Sequence, residues 1–397
     1  MSKLEVFCSF CKKFQSEVKT IVKGDSVYIC SECISLCNDM IRRFNLEKNR
    51  ESYQFLYPNQ IKARLDEEII GQEYAKQVIS VAAFMHTLRI TTGQGNKSNV
   101  LMIGPTGSGK TRMMQVLSEV LDLPLAITDA TTLTEAGYVG DDVESIVSRL
   151  LQVSDNNVER AQHGIIYIDE IDKIARTSEN RSISRDVSGE GVQQALLKLI
   201  EGTVAMVPQK SNTKHPNQDM IQINTKDILF ICGGAFDGLE KIVKNRLTPS
   251  GIGLGSKAQK ENAKFGKDHD YLQDVDSHDL VKFGLIPELV GRLPIRIPLH
   301  PLGVDDLIKI ITEPRSSILN QYQSLLSSVN VDLKVTPEAI KLIAEKASKH
   351  KAGARGIRTV LEELLLNGIY NIKDNKKSEL VITEEQIKRN RKFKLSS

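Results

Sequence analysis

The sequence predicts an α/β fold in which helices cover a parallel sheet, with a small cysteine-rich module before it and a helical domain after it. Apolar runs of strand length alternate with amphipathic helical stretches between residue 61 and about residue 299. Five of the six cysteines lie before residue 40. Beyond Pro301 the strand signal fades and helical periodicity replaces it.

These patterns divide the chain into four predicted parts. Residues 1–44 hold the cysteine cluster and too little else to form a core. Residues 45–60 are charged and polar, with Pro58 near the end, and indicate a linker. Residues 61–300 form the predicted α/β domain, and residues 301–397 form the helical domain.

The predicted strands are Val100–Ile103, Leu125–Thr128, Ile165–Ile168 and Ile228–Cys232. The predicted C-terminal helices are Val304–Ile311, Pro314–Leu326, Pro337–His350 and Gly356–Tyr370.

A glycine-rich run follows the first of these strands and precedes a helix-like segment over Arg112–Leu121. It reads Gly104-Pro105-Thr106-Gly107-Ser108-Gly109-Lys110-Thr111. Its glycines let successive backbone N–H groups turn toward an anion. Lys110 can reach the outer phosphates of a nucleotide, and the Thr111 hydroxyl can bind Mg²⁺. The strand, loop and helix together predict a phosphate-binding loop.

Composition narrows the classes of partner. The 53 basic and 50 acidic residues give a formal charge of +3, which offers no bulk attraction for nucleic acid. The sequence has no run of about 18 apolar residues and no secretory signal at its start. We therefore expect a cytoplasmic chain with no membrane or nucleic-acid partner.

The cysteine cluster has the spacing of a metal site. Cys8 and Cys11 form one CxxC, Cys30 and Cys33 form another, and 18 residues separate the pairs. Two such turns supply the four thiolates of a structural zinc ion, and four thiolates leave no open coordination position for catalysis. A redox dithiol is the alternative interpretation. Cys37 is expected to face a helix core rather than the ion.

The third strand ends in the acids Asp169 and Glu170, and Asp172 follows shortly after. The carboxyl edge of a parallel sheet is where such sheets bind ligands. Asp169 is therefore predicted to hold the magnesium shell, and Glu170 to orient and deprotonate the water that attacks the terminal phosphate. A strand that ends in acids is also common as a plain surface cap.

With these residues in view, the chain resembles the ClpX-type unfoldases of the AAA+ family. The resemblance rests on the zinc module, Tyr167–Lys173, Ser184–Gln194, Gly291-Arg292-Leu293-Pro294 and Gly353-Ala354-Arg355-Gly356, which stand in the family's order along nearly the whole chain. It implies an AAA+ P-loop core with a C-terminal helical lid domain, and an ATPase that is not itself a peptidase. It also implies a homo-hexamer that unfolds proteins and passes them to the ClpP peptidase.

The resemblance assigns further roles. Arg292 would reach the nucleotide of a neighbouring subunit, and Arg355 would sense the phosphates from the lid. Ile70, in the run Ile69–Gln72, would lie on the adenine side; without the resemblance that run indicates only a helix start. Arg112, next to the loop, completes the predicted nucleotide-binding set. The expected cofactors are ATP, Mg²⁺ and Zn²⁺.

Gly137-Tyr138-Val139-Gly140 resembles the pore loop of the family, although without that resemblance such a turn is more often simple loop packing. Flanking glycines would allow movement, and the Tyr138 ring could grip many polypeptide side chains. The implied substrates are unfolded or tagged proteins, drawn through the ring past Tyr138 and Val139. Adaptor proteins could dock on the zinc module.

Three positions depart from the family's pattern. At the pore entrance, Asn212-Thr213-Lys214-His215-Pro216 stands in place of an Arg-Lys-His cluster, so attraction for a carboxylate-ended tag should be weaker. The loop implied to dock on ClpP reads Ile252-Gly253-Leu254, with leucine in place of phenylalanine. No residue is assigned as first sensor, because the fourth strand runs into Gly233-Gly234.

Two other functions compete with a protein unfoldase. A nucleic-acid helicase or loader would need a basic stripe or a recognition helix. The near-neutral balance of charge in this sequence offers neither. A zinc-bearing adaptor that uses nucleotide only as a switch would not need both Glu170 and an arginine supplied in trans.

Overall fold

The computed structural model describes residues 6–37, 40, 55–134, 141–176, 189–208, 220–247, 270–349, 353–370 and 378–389. The chain forms two compact units. One comprises Met1–Phe55 and Thr87–Gly95, and the other comprises Leu56–His86 and Asn96–Ser397.

In the first unit, strands β1 (Ile21–Lys23) and β2 (Tyr28–Cys30) form an antiparallel hairpin. Ile21 pairs with Cys30 at its open end. Three cysteines, Cys8, Cys30 and Cys33, are the buried residues of this small core. A core of this size contributes too little apolar burial to hold a fold alone, so a further constraint is needed.

The remaining elements follow in chain order. The strands are β3 (Val100–Ile103), β4 (Leu125–Asp129), β5 (Leu133–Thr134), β6 (Asp141–Asp142), β7 (Ile165–Asp169), β8 (Val204–Pro208), β9 (Met220–Asn224), β10 (Leu229–Gly234), β11 (Ile295–Pro298), β12 (Val331–Val335) and β13 (Ser378–Ile382). The helices are α1 (Pro58–Glu68), α2 (Glu73–Thr92), α3 (Lys110–Leu121), α4 (Ser145–Val153), α5 (Val158–Gln162), α6 (Glu190–Glu201), α7 (Leu239–Leu247), α8 (Ser277–Phe283), α9 (Pro287–Arg292), α10 (Val304–Thr312), α11 (Ile318–Ser327), α12 (Pro337–Lys349), α13 (Ala354–Tyr370) and α14 (Glu384–Arg389).

Five strands form one parallel sheet in the order β11-β3-β10-β7-β4. Numbered one to five along the chain, their order is 5-1-4-3-2. Strands β3 and β10 are buried along their whole length, which explains their unbroken apolar sequence. Because all five strands run the same way, the ends of β3, β7 and β10 meet at one edge, where such sheets bind ligands.

All four predicted strands are confirmed: Val100–Ile103 has the predicted bounds, and the other three differ by one or two residues at their ends. The α/β class with a parallel sheet is confirmed as well. Strand β11 was not predicted; it is four residues long and ends in a proline. It follows Gly291-Arg292-Leu293-Pro294 closely, and only its pairing with β3 makes it a strand.

The C-terminal region has a hydrophobic core of its own, built from residues between Leu307 and Ile387. The four helices expected there are present, but α11 begins at Ile318 rather than Pro314. Ser317 caps it by accepting a hydrogen bond from the Asn320 N–H. The parallel pair β12 and β13 is an addition to the expected helices. In the described part of the chain, every helix is too short or too polar to cross a bilayer.

Candidate functional site

The predicted phosphate loop connects the end of β3 to the start of α3. Gly107 and Gly109 have φ values of 79° and 99°, a left-handed backbone that favours glycine. Between them, the Ser108 hydroxyl is buried and has no hydrogen-bond partner among the described residues. A loop with this backbone at a helix N-terminus, holding a buried unpartnered hydroxyl, suits phosphate oxygens.

Lys110 lies inside the loop with 7% of its surface exposed. Its Nζ donates to the carbonyl oxygens of Gly104 at 2.6 Å and Pro105 at 3.1 Å. Burial lowers the pKa of Lys110, whereas the carboxylates of Asp169 and Asp172 act in the opposite direction. The loop thus keeps an amine beside two acids, where it can balance the charge of a polyphosphate.

Asp169, at the end of β7, accepts hydrogen bonds from three groups. The Thr111 hydroxyl donates to its Oδ2 at 3.0 Å, across a sequence separation of 58 residues. The Tyr167 hydroxyl donates to Oδ1 at 3.2 Å, and the Glu170 N–H donates to the same oxygen at 3.0 Å. Burial and the nearby Asp169 raise the pKa of Tyr167, so its hydroxyl stays protonated as a donor. The oxygens of Thr111 and Asp169 fit Mg²⁺.

Glu170 has the left-handed backbone conformation φ 55°, ψ 32°, just before a short helical turn over Ile171–Ile174. A residue with a Cβ adopts this conformation only at a cost in free energy, so the surrounding structure must enforce the conformation. The turn leaves Glu170 exposed at the sheet edge, one residue beyond Asp169. Backbone strain of this kind is concentrated at functional sites.

The structure explains why β10 ends in two glycines. A Cβ at Gly233 would collide with the Tyr167 hydroxyl, and one at Gly234 would lie 2.5 Å from Asp172 Oδ1. Asp172 also accepts a hydrogen bond from the Ala235 N–H at 3.2 Å. Two side chains from the neighbouring β7 segment therefore fill the space that a polar residue on β10 would need.

Arg355 stands in the first turn of α13, where the backbone meets the phosphate loop. The Ala354 N–H donates to the Gly107 carbonyl at 3.2 Å. Gly353 has φ 55°, and a Cβ there would lie 2.6 Å from the same carbonyl oxygen. The charge of Arg355 contributes to lowering the pKa of Lys110. The structure therefore brings Arg355, which the resemblance implies as a sensor of the phosphates, to the loop.

Two further predicted nucleotide-binding residues, Arg112 and Ile70, lie outside the phosphate loop itself. The Arg112 guanidinium donates to Glu68 Oε2 at 3.1 Å and to Ser316 Oγ at 2.8 Å. The Ser316 hydroxyl also donates to that Glu68 oxygen, so each of Arg112, Ser316 and Glu68 is hydrogen-bonded to the other two. Ile70 lies between α1 and α2 and is half-buried. Arg112 thus joins the loop helix to the C-terminal region.

Arg292 ends α9, and its guanidinium pairs with Glu201 at the end of α6. Its Nε donates to Glu201 Oε1 at 2.9 Å, and Nη2 lies 2.8 Å from the same oxygen. The buried Asn99 side chain donates to the Arg292 carbonyl at 3.0 Å and accepts from the Phe230 N–H at 3.2 Å. The backbone of Arg292 is thereby anchored to the sheet, while its exposed side chain is held by a surface ion pair.

The predicted metal ligands form one cluster in the first unit. The sulfur atoms of Cys8, Cys11, Cys30 and Cys33 all lie within 4.8 Å of one another. Cys8 and Cys33 are 3.9 Å apart at Sγ, and Cys11 and Cys30 are 3.7 Å apart. A tetrahedral Zn²⁺ with bonds of about 2.3 Å requires sulfur separations of about 3.8 Å. The donor set and its spacing therefore fit zinc.

The thiols of this cluster differ in pKa. Burial alone would raise the pKa of the Cys8 thiol, but backbone N–H groups of Cys11, Cys30 and Phe10 lower it to about 6, whereas burial and hydrogen bonds with the other three cysteines raise the pKa of the Cys33 thiol to about 12. The thiolate is the form that binds metal. Cys37 is outside the cluster and half-buried, and Cys232 lies in the core, where burial raises its thiol pKa to about 12.

We expect the wild-type chain to hold one zinc ion, and the Cys30→Ser variant to lose it, because three thiolates cannot close a tetrahedral site. Metal content by mass spectrometry after gel filtration measures this directly. The matched control is Cys37→Ser, which should keep the full zinc content. Stoichiometric zinc in Cys30→Ser, or its loss in Cys37→Ser, would contradict this ligand set.

Several predicted residues fall outside the described part of the chain. They are the pore-loop pair Tyr138 and Val139, the pore-entrance pair Lys214 and His215, and the docking run Ile252, Gly253 and Leu254. Their roles stay predictions.

Three contacts near the site were not foreseen from the sequence. They are the hydroxyl of Tyr167 on Asp169, the carboxylate of Glu201 on Arg292, and the side-chain amide of Gln72 on His300. The alternation along β7 could have indicated Tyr167, because it places Tyr167 and Asp169 on the same face. Nothing in the sequence indicated the contacts of Glu201 and Gln72, since each of them meets a residue far away in the chain.

Three family models match the chain. An AAA domain (Cdc48 subfamily) matches residues 95–296, which is just over half of the 397 residues. The ClpX C4-type zinc finger matches residues 6–43, and the C-terminal, D2-small domain, of ClpB protein matches residues 302–378. Together they fit ClpX, which confirms the resemblance and the predicted combination of an AAA core with an N-terminal zinc finger.

Proposed function

This chain belongs to the AAA domain family (Cdc48 subfamily), and on that premise we propose that it is an ATP-driven protein unfoldase. It would hydrolyse ATP, unfold protein substrates by drawing them through the pore of a homo-hexamer, and deliver them to the ClpP peptidase. The observation that carries the proposal is the combination, on one chain, of the AAA core with a ClpX C4-type zinc finger.

The geometry of the sheet edge supports the ATPase part. The hydrogen bond from Thr111 to Asp169 joins the phosphate loop to the acids at the end of β7. The contact between Ala354 and Gly107 brings the segment of Arg355 to the same loop. Lys110 and the loop amides would hold the phosphates, Thr111 and Asp169 would hold Mg²⁺, and Glu170 would activate water.

The assembly part of the proposal concerns Arg292. It is exposed, and its ion pair with Glu201 is of the surface kind that contributes at most about 1 kcal/mol. Such a side chain can leave its partner at little cost and turn to the nucleotide of a neighbouring subunit. Hydrolysis would then require the assembled ring.

Roles outside the described residues complete the proposal. Tyr138 and Val139 would grip the polypeptide, Lys214 and His215 would line the pore entrance, and the run Ile252 to Leu254 would dock on ClpP. Zn²⁺ would stabilise the N-terminal module, on which adaptor proteins could dock. The division at residues 1–44, 45–60, 61–300 and 301–397 belongs to the proposal too, as does a cytoplasmic location.

A tagged, folded fluorescent protein tests the proposal. With ATP and ClpP, the wild-type chain should remove its fluorescence, and without ATP it should not. The Tyr138→Ala variant should keep its rate of ATP turnover within about twofold of the wild-type rate, whereas its rate of substrate unfolding should fall by about tenfold or more. The reason is that truncating an aromatic anchor weakens the hold on the polypeptide without changing the nucleotide site.

Tyr370→Ala is the matched control, because Tyr370 is 86% exposed and lies at the end of α13. It should unfold the substrate at the wild-type rate. Normal unfolding by Tyr138→Ala would reject the pore-loop role. A wild-type chain with negligible ATP turnover would instead favour a nucleotide-switch adaptor, and one that stays monomeric in saturating Mg·ATP would exclude the ring.

A further inference from the structure

Gln72 lies in the connection between α1 and α2 and has an unusual backbone. Gly71 and Gln72 have φ values of 68° and 57°, two successive left-handed positions. Glycine adopts this conformation freely, whereas a residue with a Cβ does so only where its surroundings enforce it. Helix α2 starts at the next residue, and the Gln72 carbonyl accepts from the Lys76 N–H at 2.9 Å. This turn directs the Gln72 side chain inward, with 8% of the residue exposed.

The side-chain amide of Gln72 forms a two-way clamp on His300. Its Nε2 donates to the His300 carbonyl at 2.7 Å, and the His300 N–H donates to Oε1 at 3.0 Å. Nε2 also lies 3.4 Å from the Ser108 carbonyl, which can accept its second hydrogen. One buried amide therefore joins the phosphate loop to the backbone of His300.

His300 lies between β11 and α10, where the chain passes from the sheet to the C-terminal core. The Leu299 N–H donates to the Ile103 carbonyl at 2.7 Å, which continues the pairing with β3. The His300 ring is held on its other side, with Nδ1 2.8 Å from Asp270 Oδ2. Hydrogen bonds thus hold the backbone against the sheet up to His300. Residues Pro301 to Gly303 form the short connection to α10.

The other end of the clamp lies within the phosphate loop, at the Ser108 carbonyl. Ser108 stands between Gly107 and Gly109, whose left-handed backbone turns the loop peptides. Reorientation of the peptide that follows Ser108 moves its carbonyl oxygen, the acceptor of Gln72. Because the amide is rigid and its hydrogen bonds are directional, such a movement alters its bonds to His300 as well.

We propose that Gln72 is a positioning residue that couples the phosphate loop to the start of the C-terminal helical domain at His300. It acts through the loop rather than on the nucleotide itself. Its removal should weaken nucleotide binding and disconnect the occupied loop from α10. The inference rests on the proposed function in one respect, that the loop binds a nucleotide.

Gln193 offers a matched control with the same chemistry in another place. It is fully buried, its Nε2 donates to the carbonyls of Ile174 at 2.8 Å and Gly284 at 3.3 Å, and its Oε1 accepts from the Ile286 N–H at 2.8 Å. A purely structural role for Gln72 would make the two glutamines equivalent. Both alanine variants should then lower the melting temperature and do nothing else.

The test measures Mg·ADP affinity and amide hydrogen exchange of residues 302–307, with and without saturating Mg·ADP. In the wild-type chain, Mg·ADP should slow exchange there by about threefold or more. Gln72→Ala should bind Mg·ADP about tenfold more weakly, and at saturation the slowing should fall to nearly none. Gln193→Ala should keep both the affinity and the slowing.

Gln72→Glu is the second variant, for use if Gln72→Ala does not fold. It keeps an acceptor for the His300 N–H but places an oxygen against the two carbonyls, so it too should lose the ADP-linked slowing. Wild-type slowing in either Gln72 variant, or no slowing in the wild-type chain at saturation, overturns the coupling and leaves the proposed function standing. Failure of the wild-type chain to bind Mg·ADP overturns both.

Discussion

The Glu170→Gln variant is expected to bind Mg·ATP and to hydrolyse it about 10²–10⁴-fold more slowly than the wild-type chain. Glutamine keeps the size of the side chain but cannot accept a proton from water. Glu170 occupies a strained left-handed position one residue after Asp169, so the enforced turn sets where its carboxylate points. Steady-state phosphate release measures the loss, and a fluorescent ATP analogue measures the retained binding.

Glu159→Gln serves as the control for Glu170→Gln. Glu159 is an exposed acid in the first turn of α5, away from the sheet edge. Its substitution should leave turnover unchanged. If Glu170→Gln turned over at the wild-type rate, another group would have to orient the attacking water. If it failed to bind ATP, the loss would be one of binding rather than of general-base catalysis.

The second large effect is expected for Arg292→Ala. In the assembled protein its ATP turnover should fall by about a thousandfold, the lower end of what an arginine supplied in trans contributes. A guanidinium stabilises charge that develops on the transferred phosphoryl group, and alanine cannot. The backbone of Arg292 is held by Asn99 through its carbonyl, so the change should spare the fold.

Arg358→Ala is a matched control for the loss of a surface ion pair. Arg358 Nε donates to Glu362 Oε1 at 2.8 Å, close to the 2.9 Å of the pair between Arg292 and Glu201. Both pairs are exposed and contribute little to stability. Arg358→Ala should therefore match the wild-type chain in turnover and in melting temperature.

Mixing two inactive variants distinguishes action in trans from action in cis. Arg292→Ala retains an intact phosphate loop, and Lys110→Ala retains Arg292. In mixed rings some interfaces would combine the intact loop of one subunit with the arginine of the next, so turnover should partly return. No recovery on mixing, with assembly shown by gel filtration, would mean that Arg292 acts within its own chain. Full turnover by Arg292→Ala alone would remove it from the mechanism.

The sequence predicted elements well where one short segment carries the whole signal. Strand β3 and the loop after it were predicted within a residue, because an apolar run and a glycine pattern are local features. Strands β11 and β12 escaped prediction, because each is at most five residues long and is a strand only through pairing with a distant one. The C-terminal region was therefore expected to be helical throughout.

By itself the sequence determined the chemistry of the parts: a phosphate loop, a strand that ends in acids, and two CxxC turns whose spacing suits one ion. Only the tertiary structure decided which side chains contact one another directly. It placed Thr111 on Asp169, Arg292 on Glu201 and Gln72 on His300, across separations of 58, 91 and 228 residues. Local residue types set backbone geometry and ligand preference, whereas contacts at such distances depend on strand order and on how the packed elements approach one another.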